Sequence, residues 1–239
     1  MVNQGVVPEE LLPEWESLTE WQQCLLNAIE EIQGRWKPYE RSGGSGSTKT
    51  HTFRGSVILR ASSPATSYCC GAQFEAFFLA WKDWMGEWFE TDDDMSLEQM
   101  KKLYSYSFVY AGIPNNNMGL AAPDALPALP ALLQWMREEA VSVEVLQDPR
   151  HAKFGDLCQI QNGPDPDYGH SVIVLGQGTW NDKDVLHVWS SNKNYDQGWP
   201  YSKGQQDGHG VDYYYIDRNI KQSNGSYWTR KFFLARLSD

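Results

Sequence analysis

The hydrophobic period of this chain changes near Pro149, and that change restricts the fold more than any other feature. Before it, apolar residues recur every three to four positions, as they do on one face of a helix. After it, β-branched and aromatic residues form short runs bounded by turn residues, which is typical of strands. Helices followed by strands predict an α+β fold with an antiparallel sheet.

The helical part divides into several segments separated by turn residues. The periodicity predicts helices over residues 8–34, from near Cys69 onward, over 96–110 and over 124–139. Gly34 fits the stop of the first helix. The Gly/Ser-rich residues 41–50 predict a flexible loop. We therefore expect an N-terminal helical arm and loop over 1–50, packed on a main domain that spans 51–239.

The strand part is read from alternation and β-branched residues. One short strand is expected earlier, over 56–60, and the others are expected over 157–161, 170–175, 185–190, 211–216 and 230–237. We expect the helix that begins near Cys69 to pack against an antiparallel sheet that contains the strands 157–161, 170–175 and 185–190.

Charge and composition exclude some partners. The 239 residues carry a formal net charge of −11, and the basic residues are scattered, which argues against nucleic acid as a partner. No apolar run approaches the roughly 20 residues of a membrane span. Residues 1–10 lack the features of a secretory signal, so the sequence leaves both a cytoplasmic location and export by another route open.

The four cysteines show neither a CxxC pair nor a spacing with histidine that suggests zinc. Cys69 and Cys70 are neighbours, and a disulfide between neighbours is strained, so a disulfide framework is not expected. We expect no metal and no cofactor.

Cys69 stands where small and polar residues give way to a strongly apolar helical stretch. A helix N-terminus carries partial positive charge and free backbone N–H groups, which stabilise a thiolate and can bind an oxyanion. His170 follows Gly169 and begins a β-branched strand, so we expect its imidazole at a sheet edge, facing that helix N-terminus. The sequence therefore predicts a cysteine–histidine pair.

A third polar group is needed to orient the imidazole ring. Ser190 and Asn192 lie on or just past the next strand and share one face by the two-residue period, whereas His187 lies on the opposite face. Either Ser190 or Asn192 could hydrogen-bond the second ring nitrogen.

Two segments resemble the NlpC/P60 family of papain-like cysteine peptidases. Tyr68-Cys69-Cys70-Gly71 before an apolar helix is similar to that family's Asp-Cys-Ser-Gly. Gly155-Asp156-Leu157, followed by the segment 169–176, is similar to its "GDL…HVGIYLG" strands. The resemblance covers about residues 65–195. Three positions depart from it: Tyr68 replaces Asp, Cys70 replaces Ser, and the third catalytic residue lacks the usual context.

The resemblance implies a papain-like fold with Cys69 as nucleophile, His170 as general base and Ser190 or Asn192 as the orienting group. Cys70 is the rival nucleophile, although it shares an apolar helical stripe with Phe74 and Phe77. The implied activity is hydrolysis of an amide bond in a peptide substrate, typically the stem peptide of bacterial cell wall. An acyltransferase on the same scaffold and a non-catalytic binding module remain alternatives, and the oligomeric state is open.

Overall fold

The computed structural model describes residues 11, 14–35, 46–62, 67, 69–91, 96–97, 143–146, 148–161, 169–192, 208–217, 219–221 and 224–237. Within these ranges the chain forms two α-helices and three antiparallel sheets. The helices come mainly before the strands, and the predicted α+β class is confirmed.

The first helix, α1, spans Glu20–Gln33 and therefore begins later than the expected residue 8. Leu18 is extended, and Thr19 caps the helix. The Thr19 hydroxyl accepts a hydrogen bond from the Gln22 amide, and the Gln22 side chain accepts one from the Thr19 amide. This reciprocal capping satisfies two backbone donors and fixes the start of the helix. Gly34 ends α1, as predicted.

The second helix, α2, spans Cys69–Met85, so the predicted start at Cys69 is confirmed. Its first three turns are almost entirely buried between α1 and the largest sheet. Aromatic edges join the two helices, with 5.6 Å between the ring centroids of Trp21 and Phe77. A helix that is apolar on most sides belongs in a core, which explains this central position.

The strands are β1 (His51–Phe53), β2 (Ser56–Leu59), β3 (Val143–Leu146), β4 (Leu157–Gln161), β5 (Gly169–Trp180), β6 (Lys183–Asn192), β7 (Gly208–Tyr215), β8 (Asn219–Lys221), β9 (Tyr227–Thr229) and β10 (Lys231–Leu237). Six of them form the main sheet in the order β3-β10-β4-β5-β6-β7. β4, β5 and β6 are antiparallel neighbours, as expected. The hairpins β1–β2 and β8–β9 form the two small sheets.

The main sheet has two buried faces. One face, which we call the helix face, packs on α1 and α2 through Leu157, Ile173, Leu175, Trp189 and Val211. The other, the inner face, carries a second apolar cluster that includes Cys158, Ile160, Val172, Val174, Leu186, Val188, Phe232 and Leu234. Alternate residues of each strand therefore enter different cores.

The sheet curls toward its inner face. The Arg230 side chain, just before β10, donates a hydrogen bond to the Tyr215 carbonyl at the end of β7 (3.2 Å). Its guanidinium also lies 4.8 Å from the centroid of the Tyr214 ring. Since β4, β5 and β6 separate β7 from β10 in the sheet, these contacts require strong curvature that makes the inner face concave.

Several predictions fall outside the described residues. These are the helix 124–139, the helix 96–110 apart from its first two residues, and the first half of the loop 41–50. The division of the chain at residue 50 stays a prediction. In the part of the chain that the structure describes, no helix is long and apolar enough to cross a membrane, and no cluster of His, Cys, Asp and Glu could hold a metal ion.

Candidate functional site

Cys69 is the most accessible of the three cysteines whose side chains are described. It is half-buried at the first position of α2, whereas Cys24 and Cys158 are buried. Burial, reinforced by Asp83, raises the pKa of the Cys24 thiol to about 12. Burial also raises the pKa of Cys158. Both buried thiols are therefore protonated near neutral pH and poorly placed to act as nucleophiles.

Two contacts fix the amino end of α2 over the helix face. The Gln73 side-chain amide donates hydrogen bonds to the carbonyls of Val172 (2.6 Å) and Cys158 (3.3 Å). The Ser67 hydroxyl shares a hydrogen bond of 2.6 Å with the hydroxyl of Ser191 on β6. Cys69 lies four residues before Gln73, on the same helical stripe and about 6 Å nearer the amino end. It therefore lies over the polar end of this face.

Four polar side chains occupy that end of the helix face, and we call them the polar row: Gln159, Ser171, Ser191 and His209. Each is at most 2% exposed. Gln159 pairs with Ser171 across β4 and β5, and Ser191 pairs with His209 across β6 and β7. The Ser171 hydroxyl donates to the Gln159 side-chain oxygen at 3.3 Å. Burying polar groups costs free energy that an all-apolar surface would avoid, so the row is a candidate functional surface.

His170 does not face this surface. It alternates with Ser171 and shares the inner face with Val172, and its ring centroid lies 5.9 Å from that of Tyr214. The expectation that His170 faces the amino end of α2 is therefore wrong in this structure. The physical reason is that consecutive side chains of a strand point to opposite faces of the sheet: Ser171 points toward α2, so His170 points away from it. The catalytic role that the resemblance gives to His170 stays a prediction.

Of the two candidates for the orienting group, Ser190 and Asn192, the structure describes the side chain of Ser190 alone. Ser190 lies on the inner face with His170, and its hydroxyl donates to the Ser171 carbonyl at 2.6 Å. That bond directs the hydroxyl proton to the backbone. Asn192 ends β6, and its side chain lies outside the described part. His187 has the phase of Trp189, opposite to Ser190, as predicted.

A buried charged cluster beside α2 was not predicted. The Glu75 carboxylate is fully buried and accepts hydrogen bonds from the Thr48 amide (2.7 Å) and hydroxyl (2.8 Å). It also lies 2.9 Å from the His51 ring nitrogen and 3.7 Å from the Arg35 guanidinium. Burial alone would raise the pKa of Glu75, but the hydrogen bonds of His51 and Thr48 outweigh it, and the net pKa is lowered. This carboxylate ties the loop before β1 to α2.

His209 is not among the site residues that the sequence predicts. Its ring is 1% exposed, and neither ring nitrogen has a hydrogen-bond partner. It stacks on Trp189, with 5.7 Å between ring centroids and 11° between the planes. Gln33 holds both residues, because its amide donates to the His209 carbonyl and accepts from the Trp189 indole. An unsatisfied buried polar group costs about 1–3 kcal/mol, so this fixed ring needs an explanation.

No protein-family model, no curated protein and no solved structure matches this chain. The family resemblance therefore rests on the motif residues alone.

Proposed function

We propose that this protein is a cysteine hydrolase with a papain-like arrangement, in which Cys69 attacks the carbonyl carbon of an amide bond. The observation that carries the proposal is the half-buried thiol at the amino end of a 17-residue helix, above a buried polar row. An apolar face needs no such row for packing, whereas a site that handles charge does.

In this mechanism the sulfur–carbon bond forms, and the developing oxyanion faces the backbone N–H groups of the first turn of α2. The carbon–nitrogen bond then breaks, and the amine leaves with a proton. Water attacks the resulting thioester and releases the acid, which restores the thiol. The helix dipole favours negative charge at the amino end throughout these steps.

The proposed substrate is a peptide, with the stem peptide of bacterial cell wall as the first to be tried. This choice comes from the family resemblance.

The test compares Cys69→Ala with Cys70→Ser in an assay of muropeptide cleavage followed by mass spectrometry. Cys69→Ala should remove nearly all turnover and keep substrate binding, because alanine removes the nucleophile and leaves the surface around it. Cys70→Ser should keep most activity, since serine stands at this position in the resembling family. Turnover that survives Cys69→Ala, or a wild type that binds these peptides without cleaving them, would contradict the proposal. His170→Ala separately tests the base that the resemblance implies.

A further inference from the structure

Two imidazoles lie on the same side of the main sheet as Cys69, those of His187 and His209, and His209 is the one in the polar row. His209 lies on β7 with the phase of Val211, which packs in the helix-face core. His209 pairs with Ser191 across β7 and β6. The Ser191 hydroxyl is hydrogen-bonded to the hydroxyl of Ser67, two residues before Cys69. His209 and the amino end of α2 therefore meet at the same end of the helix face, whereas His170 lies on the inner face.

The surroundings of His209 hold the ring and leave its nitrogens unused. Trp189 fixes the ring plane by stacking, and Gln33 fixes the backbone and the tryptophan together. A neutral imidazole has one N–H donor and one lone pair, and here both are buried without a partner. An imidazole that is positioned so firmly and yet unsatisfied is the arrangement expected of a group that exchanges a proton during a reaction.

We propose that His209 is the proton acceptor and donor for the Cys69 thiol, an assignment that rests on the proposed cysteine hydrolase function. As sulfur bonds to the amide carbonyl carbon, the thiol proton passes to a ring nitrogen of His209. When the carbon–nitrogen bond breaks, that proton moves to the leaving amine. In the second half of the reaction, water gives a proton to the ring and its oxygen bonds to the carbonyl carbon. The sulfur leaves and takes the proton back.

The ring begins the reaction in its neutral form. Burial lowers the pKa of His209 to about 4, Arg35 acts in the same direction, and Glu75 opposes both. The ring is therefore neutral near neutral pH, which is the form that accepts a proton. Negative charge near the ring favours its protonation, as Glu75 does.

The experiment measures alkylation of Cys69 by iodoacetamide in the native protein, with peptide mass spectrometry across the neutral pH range. The variants are His209→Gln, His170→Gln and His187→Gln. His187 is the matched control, because it is 4% exposed on the same face and burial lowers its pKa to about 4 as well. It pairs with Tyr213, further along the strands than the Ser191–His209 pair.

His209→Gln should slow the labelling of Cys69 about tenfold or more near neutral pH, and His187→Gln should stay within about twofold of wild type. A wild-type rate in His209→Gln would overturn the assignment. An equal loss in His187→Gln would show a merely structural effect, and a loss confined to His170→Gln would transfer the role to that residue.

If His209→Gln does not fold, the His209 ring can be observed in the wild type by nitrogen-15 NMR of the histidine side chains. Alkylation of Cys69 should then shift the ring resonances of His209, and unchanged resonances would contradict the pairing. Neither measurement uses a substrate. If Cys69 and His209 affect each other in these measurements but no amide is cleaved, the hydrolase proposal alone is contradicted. If amides are cleaved but the two residues do not affect each other, only the role of His209 is contradicted.

Discussion

Glu75 offers the sharpest test of how the helices are joined to the loop before β1. In Glu75→Gln the side chain keeps its shape, but one carboxylate oxygen becomes an amide NH2 group. If the oxygen that faces His51 and the Thr48 hydroxyl is retained, the new NH2 group takes the place of the oxygen that now accepts from the Thr48 amide at 2.7 Å. Two donors then face each other in a fully buried place.

The loss should be about 3 kcal/mol of unfolding free energy, because a hydrogen bond to a charged group contributes about 1.5–3 kcal/mol and a buried donor is left unsatisfied. With a urea m-value of about 3 kcal/mol/M for a chain of this size, the unfolding midpoint should fall by about 1 M. Circular dichroism during urea titration measures this directly.

Glu31→Gln is the matched control. Glu31 also contacts Arg35 (3.0 Å) and Lys49 (2.6 Å), but its side chain is 49% exposed. Exposed ion pairs contribute about 0–1 kcal/mol, so its midpoint should move by less than about 0.3 M. Equal shifts in the two variants would refute the reasoning, since burial is what makes Glu75 different.

The pH dependence gives an independent check on Glu75. Its folded-state pKa is lowered from an ordinary value of 4.5, so ionised Glu75 stabilises the folded protein above that pH. The contribution is lost as pH falls through the folded-state value. The difference in stability between wild type and Glu75→Gln should therefore be constant near neutral pH and shrink in acid. A difference that grows on acidification would contradict the assignment.

Two further predictions concern packing and thiol chemistry. A Cβ at Gly178 would lie 2.4 Å from the His187 ring. Gly178→Ala should therefore lower the unfolding free energy by about 1–3 kcal/mol and the melting temperature by several degrees. Gly34→Ala is the control, because a Cβ there has no contact under 3.5 Å and the melting temperature should change little. Differential scanning fluorimetry compares the two, and equal melting temperatures would contradict the predicted clash. In native protein iodoacetamide should label Cys69 faster than buried Cys24, whose pKa is about 12, and equal rates would show that burial does not protect Cys24.

The sequence predicted the elements that carry strong local signals. Small residues followed by an apolar helix placed the start of α2 at Cys69, and β-branched runs placed β4, β5 and β6. The short strand β3 was missed although Val143-Glu144-Val145-Leu146 carries the alternation of a strand, since this run has only four residues and stands between the predicted helix over 124–139 and Pro149.

The face of His170 could not be read from the sequence for a related reason. The run Val172-Ile173-Val174-Leu175 is buried on both faces of the sheet, so no alternation of polar and apolar residues marks which side meets the helices. The expected strand 211–216 stops short of His209 because Gly208 and Gly210 flank that residue and weaken the strand signal. Glu75 did leave a signal, as a single charge inside an apolar helical run.

The central claim, that Cys69 is a nucleophile that forms an acyl-enzyme, is tested most directly by trapping that intermediate. The protein is mixed with p-nitrophenyl acetate, which acylates reactive thiols without a specific leaving peptide, and is quenched in acid within the first turnover. The account predicts a burst of nitrophenol and the added mass of one acetyl group on the peptide that contains Cys69, both absent in Cys69→Ala. Acetylation elsewhere, or an equal burst in Cys69→Ala, would contradict it.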